Sequence, residues 1–128
     1  MAKKFRIGLL VLASAVGLAI ASPAQAASGY DRCPDNYYCM FSGLDGSGDM
    51  VTFQSSNPDL RTVNMDKRAR SDWNRTGSSV WLNSDYNYAG CDALTSAGSQ
   101  GNLFSSFQNY FSSVRVGGSG GQSCQTVR

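Results

Sequence analysis

The stretch SDWNRTGSSVWLNSDYNYAG, residues 71–90, joins two halves of the chain that repeat one pattern. Gly48 and Ser71 in the first half recur as Gly90 and Ser113 in the second half, with the same spacing between them. One constant step along the chain, from position 48 to position 90, therefore relates the two halves, and we call this step the repeat offset. A self-similar segment of this length indicates one supersecondary unit that is used twice. The stretch predicts a duplicated fold, in which residues 71–73 close the first unit and residues 80–90 open the second.

Residues 1–26 have the layout of a secretory signal peptide. A basic start at residues 3–6 precedes an apolar run from Ile7 to Ile20, and the small residues at 24–26 form a cleavage site. The apolar run is shorter than the roughly 20 residues of an ordinary transmembrane helix. We therefore expect a secreted, extracellular mature chain, residues 27–128, that forms one domain and has no membrane segment.

The charges of the mature chain argue against nucleic-acid binding and against catalysis. The sequence has 11 basic and 9 acidic residues, and removing the three basic residues of the signal leaves eight against nine, a net charge of −1. Such a chain has no electrostatic basis for binding phosphates. It also contains no His and no Glu, so it lacks the usual general bases and nucleophile activators, and we do not expect an enzyme.

Four cysteines in an exported chain predict two disulfides. Three pairings are possible. Cys33 and Cys39 flank a Pro-Asp-Asn turn and can close a small loop, which leaves Cys91 to tie the second half to the tail, residues 117–128, through Cys124. This pairing is the favoured one.

Short apolar runs between turns predict an all-β fold, because no long stretch has the 3.6-residue apolar repeat of a helix. The predicted strands are residues 37–41, 50–53, 78–82, 91–94 and 112–116. Residues 60–65 fit a short strand or an irregular arm, residues 103–111 fit a helical turn or a strand, and Trp73 is expected to fill the core. Duplicated four-strand units favour two Greek keys, at about residues 33–75 and 78–116, packed as one sandwich domain.

These features together resemble a known family. An aromatic strand, a glycine turn, a short strand and a closing serine, all present twice, are similar to the βγ-crystallin Greek-key motif. The opening CPDNYYCMFSG (33–43) and SDWNRT (71–76) resemble the actinobacterial secreted peptidase inhibitors of the Streptomyces metalloproteinase inhibitor family. The resemblance is also carried by residues 88–90 and 112–115. It implies a βγ-crystallin-like fold and a proteinaceous inhibitor of an extracellular peptidase.

An inhibitor of this kind needs only a rigid, exposed loop that enters the peptidase cleft. Residues 43–49, 55–61 and 92–102 are the candidate loops, and we favour the last. Its inhibitory segment would be Cys91, Asp92, Ala93 and Leu94, since Ala93-Leu94 offers an apolar side chain for a peptidase pocket. In the family this region lies between two nearby cysteines, of which this chain has only Cys91. The expected partner is a secreted metallo- or serine peptidase, and the chain is expected to be a monomer.

Two alternatives remain open. Crystallin-type domains that bind calcium carry an Asn/Asp, Asn/Asp, two free residues, Ser/Thr, Ser pattern, which the resemblance places at residues 66–71 and 108–113. The candidate calcium ligands are Asp66, Ser71, Gln108, Asn109, Ser112 and Ser113. Lys67 and Arg70 oppose a cation at the first segment, and the favoured interpretation is that Ser71 and Ser113 pin a turn by hydrogen bonds. Such a domain would be a structural or weakly calcium-binding module without inhibitory activity, and no other cofactor is expected. The second alternative is a cell-wall glycan-binding module that uses Trp81, Tyr86, Tyr88 and Tyr110.

Overall fold

The computed structural model describes residues 28–124 of the chain. The predicted signal peptide, residues 1–26, lies outside them. The described residues contain seven short strands: β1 (Tyr38–Phe41), β2 (Met50–Phe53), β3 (Ser71–Asn74), β4 (Val80–Asn83), β5 (Asp92–Thr95), β6 (Gln100–Asn102) and β7 (Ser113–Val116). The helical segments in this range are single 3-10 turns, and none is long or apolar enough to cross a membrane.

The strands form two antiparallel sheets that exchange segments between the halves. The first sheet has the order β2-β1-β3-β6, and the second has the order β5-β4-β7. Strand β6 therefore lies in the sheet of the first half although it belongs to the second, and Asn57 of the first half bridges Val114 on β7. This exchange is the crossover of a Greek key. The predicted all-β sandwich of two Greek keys is confirmed.

The two uncertain segments are both helical turns. Leu60–Val63 is a 3-10 turn, so the predicted strand or irregular arm at residues 60–65 is wrong. Ser105–Phe107 is also a 3-10 turn, which is the helical alternative given for residues 103–111. The side chain of Asp59 accepts a hydrogen bond from the N–H of Arg61, and this cap stabilises the first turn.

The repeat offset holds in the backbone. Strands β4, β5 and β7 begin one repeat offset after β1, β2 and β3, respectively. The hydroxyl of Ser71 donates to the carbonyl of Gly43 at 2.7 Å and accepts from the N–H of Gly46 at 3.0 Å. Ser113 makes the two equivalent bonds to the second hairpin loop, at 2.6 and 3.1 Å. Each serine therefore pins the first hairpin of its own half.

Gly48 and Gly90 occupy equivalent places in these hairpins and both have a positive φ, +76° and +75°. A methyl group on Gly90 would collide with the hydroxyl of Ser84. That hydroxyl accepts a hydrogen bond from the N–H of Cys91 at 3.0 Å. Glycine is required here both by the backbone conformation and by the close approach of Ser84.

Successive side chains of a strand point to opposite faces of the sheet, and this alternation decides which residues lie between the two sheets. Tyr38 and Met40 of β1 face the main core, and the register places Asn74 and Asp72 of β3 opposite them. The prediction that Trp73 fills this core is wrong. Because side chains alternate along a strand, Trp73 points to the other face of the first sheet.

On that outer face a smaller apolar cluster surrounds the disulfide between Cys33 and Cys39. Trp73 packs against it, and the guanidinium of Arg75 lies 4.4 Å from the centre of the indole ring. The second disulfide joins Cys91 and Cys124. Both pairs are those that the sequence favoured.

Candidate functional site

The residues predicted as the inhibitory loop form a strand. Asp92, Ala93 and Leu94 lie in β5 and pair with β4, and Cys91 directly precedes them. Alternation turns Ala93 towards the main core, and Asp92 is buried. Only Leu94 is well exposed, with 51% of its surface accessible. The strand predicted at residues 91–94 is confirmed, so within the candidate loop 92–102 only residues 96–99, between β5 and β6, are free to act as a loop. The role of residues 91–94 in inhibition stays a prediction.

The tail is fastened to the start of β5. Besides the Cys91–Cys124 disulfide, the N–H of Asp92 donates to the carbonyl of Gln122 at 2.7 Å, and the N–H of Cys124 donates to the carbonyl of Asp92 at 2.8 Å. The Asp92 carboxylate accepts from the N–H of Gly121 and lies 3.9 Å from the Arg115 guanidinium. The tail therefore covers Asp92 and leaves the far end of β5 open.

The turn that follows β5, residues 96–99, projects from the sandwich on a buried support. All four residues are exposed. Asn74, at the end of β3, is fully buried, and its side-chain amide donates to the carbonyls of Thr95 at 3.0 Å and Ser78 at 2.8 Å. Its backbone donates to the carbonyl of Ser99 at 2.9 Å and accepts from Gly98 at 2.7 Å. The turn is consequently rigid at its base and free at its tip.

Two exposed apolar side chains flank this turn. Leu94 lies before it, and Phe104 lies after it with 79% of its surface accessible. The other two candidate loops are tied to other parts of the fold. Residues 43–49 fold back under Ser71, and in residues 55–61 Asn57 is held in the bridge to β7.

Between β5 and β6 the sandwich opens into a cleft of about 700 Å³. Its walls include Ala93, Leu103, Phe107 and Phe111, and Leu94 and Phe104 stand on its rim. Asp72 also lines the cleft, with only 5% of its surface accessible. A largely apolar cleft that contains a few polar groups is the usual form of a ligand site.

Asp72 links the two sheets inside this cleft. Its Oδ2 atom accepts hydrogen bonds from the hydroxyl of Tyr38 at 2.8 Å and from the hydroxyl of Thr95 at 2.7 Å, and no described residue donates to its Oδ1 atom. Burial raises the pKa of Asp72 from 3.8 to about 6, and the hydrogen bonds from Thr95 and Tyr38 oppose part of this rise. Burial also raises the pKa of Tyr38 well above its ordinary value.

Sequence reasoning missed both Asp72 and Asn74. The four-residue strand Ser-Asp-Trp-Asn alternates without a clear apolar face, and its one large aromatic indicates the wrong face as buried. The available signal was the pairing with β1, since Tyr38 and Met40 opposite these residues belong to an apolar run. Register is decided by such tertiary pairing rather than by the strand itself.

The two predicted calcium segments pack against each other. Lys67 donates its N–H to the carbonyl of Phe111 at 2.8 Å, and Asn109, which is the counterpart of Lys67 in the second half, donates to the carbonyl of Ala69 at 2.9 Å. Gln108 accepts from Arg70 and donates to the carbonyl of Leu103. The hydroxyls of the two closing serines are used in pinning the hairpins, so they are not free ligands.

Other oxygens of these segments are without partners. The Oδ1 atom of Asp66 and the hydroxyl of Ser112 are buried and form no hydrogen bond, whereas Oδ2 of Asp66 accepts from the hydroxyl of Tyr86 at 2.9 Å. Oxygen atoms of this kind are what calcium prefers, but it takes six to eight of them. No group of three or more His, Cys, Asp or Glu side chains that could hold a metal occurs among residues 28–124. The residues fit calcium in part.

Three of the four aromatic residues considered for glycan binding are engaged with the protein itself. The indole N–H of Trp81 donates to the carbonyl of Gly118 at 3.2 Å, and Gly120 lies against the ring. The guanidinium of Arg61 covers the Tyr86 ring at 4.0 Å. Tyr110 packs edge-on against Phe111. These three rings do not form a flat, open platform for sugars.

Comparisons with known proteins agree with this architecture. A family model described as Peptidase inhibitor family I36 matches residues 26–95 of the 128 residues. No curated protein sequence matches the chain.

Solved βγ-crystallin domains have a similar fold. A structure described under the evolution of the eye lens βγ-crystallin domain fold is similar over 71% of this chain and 92% of its own, with 18% identity and a TM-score of 0.61. A βγ-crystallin domain from Clostridium beijerinckii is similar over 62% of this chain and 95% of its own, with 15% identity and a TM-score of 0.56. The N-terminal domain of protein S is similar over 66% and 99%, with 19% identity and a TM-score of 0.55.

Proposed function

This chain belongs to peptidase inhibitor family I36, and from that premise we propose that it blocks an extracellular peptidase with the turn at residues 96–99 and its apolar neighbours, Leu94 and Phe104. Membership of this family makes the chain a peptidase inhibitor rather than an enzyme. The observation that supports this contact surface is the rigid, exposed turn that Asn74 holds from beneath.

The physical argument is one of entropy and access. A loop that is already ordered before binding loses little conformational freedom when it enters a peptidase cleft. The turn sequence Ser96-Ala97-Gly98-Ser99 has only small side chains, so its backbone is accessible to the main-chain groups of a peptidase. Leu94 and Phe104 would add apolar contact on either side. Such a surface suits the apolar pockets of secreted metallopeptidases and some serine peptidases.

The direct test is inhibition by the purified mature protein, residues 27–128. A thermolysin-like metallopeptidase and a subtilisin-like serine peptidase should be titrated separately with a peptide substrate. We expect loss of activity of one of them at micromolar or lower inhibitor. Mass spectrometry of the recovered inhibitor should then locate any slow cleavage within residues 94–104. Full activity of both peptidases at tens of micromolar inhibitor would contradict the proposal.

A matched pair of variants tests the contact surface. Leu94→Asp places a charge on the rim of the cleft, and we expect it to weaken inhibition by at least about tenfold, since a carboxylate cannot be buried in an apolar pocket without a partner. Leu44→Asp is the control, because Leu44 is also an exposed leucine, 36% accessible, but lies on the first hairpin. Equal inhibition by both variants would place the contact elsewhere on the molecule.

Export of the chain is part of the same proposal. Residues 1–26 would direct secretion and be removed, leaving a domain that begins at Ala27 and acts as a monomer. Expression of the full chain in an actinobacterial host, with N-terminal sequencing of the protein in the medium, tests this. A protein that stays in the cell, or that still carries residues 1–26, would contradict it.

A calcium-binding module is the second candidate function, favoured by the unpartnered oxygens of Asp66 and Ser112. A cation bound at either oxygen would give it a partner, although the side chains of Lys67 and Arg70 oppose a cation at the first segment by Coulomb repulsion. We expect only weak binding. A rise in Tm in millimolar calcium that EDTA reverses and that Ser112→Ala removes would support this function. A Tm that is unchanged by calcium would reject it.

A further inference from the structure

A polar trio lies between the two sheets at a place where the fold itself does not require one. The hydroxyls of Tyr38 and Thr95 both donate to Asp72 between the two sheets. The repeat offset gives each member a counterpart in the other half, and all three counterparts are buried and apolar. They are Val80 for Tyr38, Val114 for Asp72 and Phe53 for Thr95.

The polar trio can therefore be compared with the equivalent site in the other half of the same fold. At one site three apolar side chains fill the space between β2, β4 and β7. At the equivalent site a carboxylate and two hydroxyls lie between β1, β3 and β5. Since the same backbone accepts the apolar set, folding does not explain why an acidic residue is buried at the other site.

No basic side chain within residues 28–124 forms an ion pair with the buried carboxylate of Asp72. The ion pairs among the described residues use Asp35, Asp49, Asp59 and Asp92, and none of them involves Asp72. A buried, unpaired carboxylate is costly, and here burial raises its pKa to about 6. The hydroxyls of Tyr38 and Thr95 satisfy Oδ2, which leaves Oδ1 without a donor on the wall of the cleft.

The rest of the cleft defines what kind of molecule could supply that donor. Its volume of about 700 Å³ suits a small ligand or one long side chain. Its walls are apolar and aromatic at Leu103, Phe107 and Phe111, and its rim carries the exposed Leu94 and Phe104. A matching ligand has an apolar stem along these walls and one cationic donor group at its end.

We propose that this cleft is a binding site for a guanidinium or alkylammonium group on an apolar stem, with the Asp72 carboxylate as its counter-ion. A planar guanidinium can donate to a carboxylate with two parallel N–H groups, and such charge-assisted bonds are about twice as strong as neutral ones. The stem would displace water from the aromatic walls. This site adjoins the proposed peptidase contact, because Ser99 lines the cleft and Leu94 and Phe104 stand on its rim. Its test uses no peptidase, so it can fail or succeed independently of peptidase inhibition.

The test uses the mature protein and two matched probes at pH 7.5. Butylguanidinium chloride and butylurea have the same shape, but only the first is charged. Binding is followed by calorimetry and by amide chemical shifts of residues 93–95. We expect the cation to bind at least about tenfold more tightly than the urea, as expected when a charge-assisted bond replaces a neutral one. Equal affinities, or no shift of these amides at ~50 mM probe, would overturn the proposal.

Two variants connect the binding to the carboxylate. Asp72→Asn keeps the acceptor oxygen for Tyr38 and Thr95 and removes the charge, so we expect the fold to persist and the affinity for butylguanidinium to fall to that for butylurea. Asp31→Asn, at an exposed aspartate, is the control and should bind the cation as the unmodified protein does. Unchanged binding by Asp72→Asn, with an intact spectrum, would show that Asp72 is not the counter-ion.

A second pair of probes identifies the source of the cation. Acetyl-arginine methylamide and acetyl-citrulline methylamide differ in the same way but carry a peptide backbone. Preferential binding of the arginine compound would identify a basic side chain of a protein partner as the occupant. Binding of butylguanidinium alone would identify a free small cation. Either result supports the site.

Discussion

Replacing Asp72 by asparagine should make the protein more stable at neutral pH and remove much of its pH dependence. The pKa of this carboxyl is about 6 in the folded protein and 3.8 when it is unburied. One pKa unit is worth about 1.4 kcal/mol, so this pKa difference corresponds to about 3 kcal/mol of stability. The folded protein binds this proton more tightly than the unfolded chain does, so protonation of Asp72 stabilises the fold. That stabilisation is fully present below pH 3.8 and is lost as the pH rises through about 6.

The structure explains why asparagine should be tolerated. The amide oxygen can accept the same two hydrogen bonds, from the hydroxyls of Tyr38 and Thr95. The amide nitrogen would face the cleft, where Oδ1 lies now. The variant therefore keeps the link between the sheets and avoids the cost of burying a charge. We expect a gain in unfolding free energy of up to about 3 kcal/mol at pH 7.5 and little change near pH 4.

The assay is urea unfolding of the unmodified protein, Asp72→Asn and Asp31→Asn, followed by tryptophan fluorescence between pH 4 and pH 7.5. The titratable groups that face Asp72 are Tyr38 and, more distantly, Tyr30, and burial raises the pKa of both above 10, outside this window. The unfolding free energy should fall with pH in the unmodified protein and in Asp31→Asn, and stay nearly level in Asp72→Asn. A variant that is less stable than the unmodified protein at pH 7.5, or that has the same pH slope, would refute this reasoning.

Three further predictions concern stability. Gly90→Ala should destabilise the fold by about 1 kcal/mol more than Gly98→Ala. Both glycines have a positive φ, but only a methyl group on residue 90 would collide with a neighbouring hydroxyl. Comparison of the two unfolding curves checks this. Replacing Cys91 and Cys124 by serine should lower the free energy of unfolding by about 4 kcal/mol, roughly twice the loss for replacing Cys33 and Cys39. The reason is that loop-closure entropy grows with the sequence separation, which is 33 residues for the first pair and 6 for the second. Thermal unfolding of the two double variants measures this difference. Asn74→Ala should cost at least about 2 kcal/mol and weaken inhibition further than the loss of folded protein explains, as a Ki normalised to folded protein would show.

The parts of the fold that the sequence predicted are those with a local signal. Aromatic runs bounded by turn residues located most of the strands, and the matched spacing of Gly48, Ser71, Gly90 and Ser113 indicated the repeat offset that the backbone keeps. Strand β6 was missed because Gln100–Asn102 has no apolar or β-branched residue. Its pairing with β3 comes from the crossover between the halves, which no local propensity reports.

The sequence indicated one exposed residue of the candidate site and missed its buried support. Leu94 was chosen as an apolar contact residue, and it is exposed on the strand predicted at residues 91–94, while its contact with a peptidase stays a prediction. Asn74 and Asp72 were not predicted, because their importance comes from facing the core. Polar residues at inward positions contradict the alternating pattern that sequence reasoning relies on, and such contradictions are most frequent at functional or strained sites.

The duplication also argues for the second half as the place of contact with a peptidase. The turn at residues 96–99 has its counterpart at residues 54–57, so the fold offers two equivalent positions for a contact loop. The first-half turn lies against the second sheet, because Asn57 bridges Val114 and the hydroxyl of Ser56 accepts from the N–H of Val116 at 2.9 Å.

The second-half turn, residues 96–99, is held from within the core instead of lying against a sheet. Asn74 stands where Val116 stands in the other half, and its amide reaches the base of the turn from within the core while the tip remains free. Valine has no group that could make these bonds. A turn that is held from inside can be rigid without being covered, and rigidity together with access is what an inhibitory loop needs.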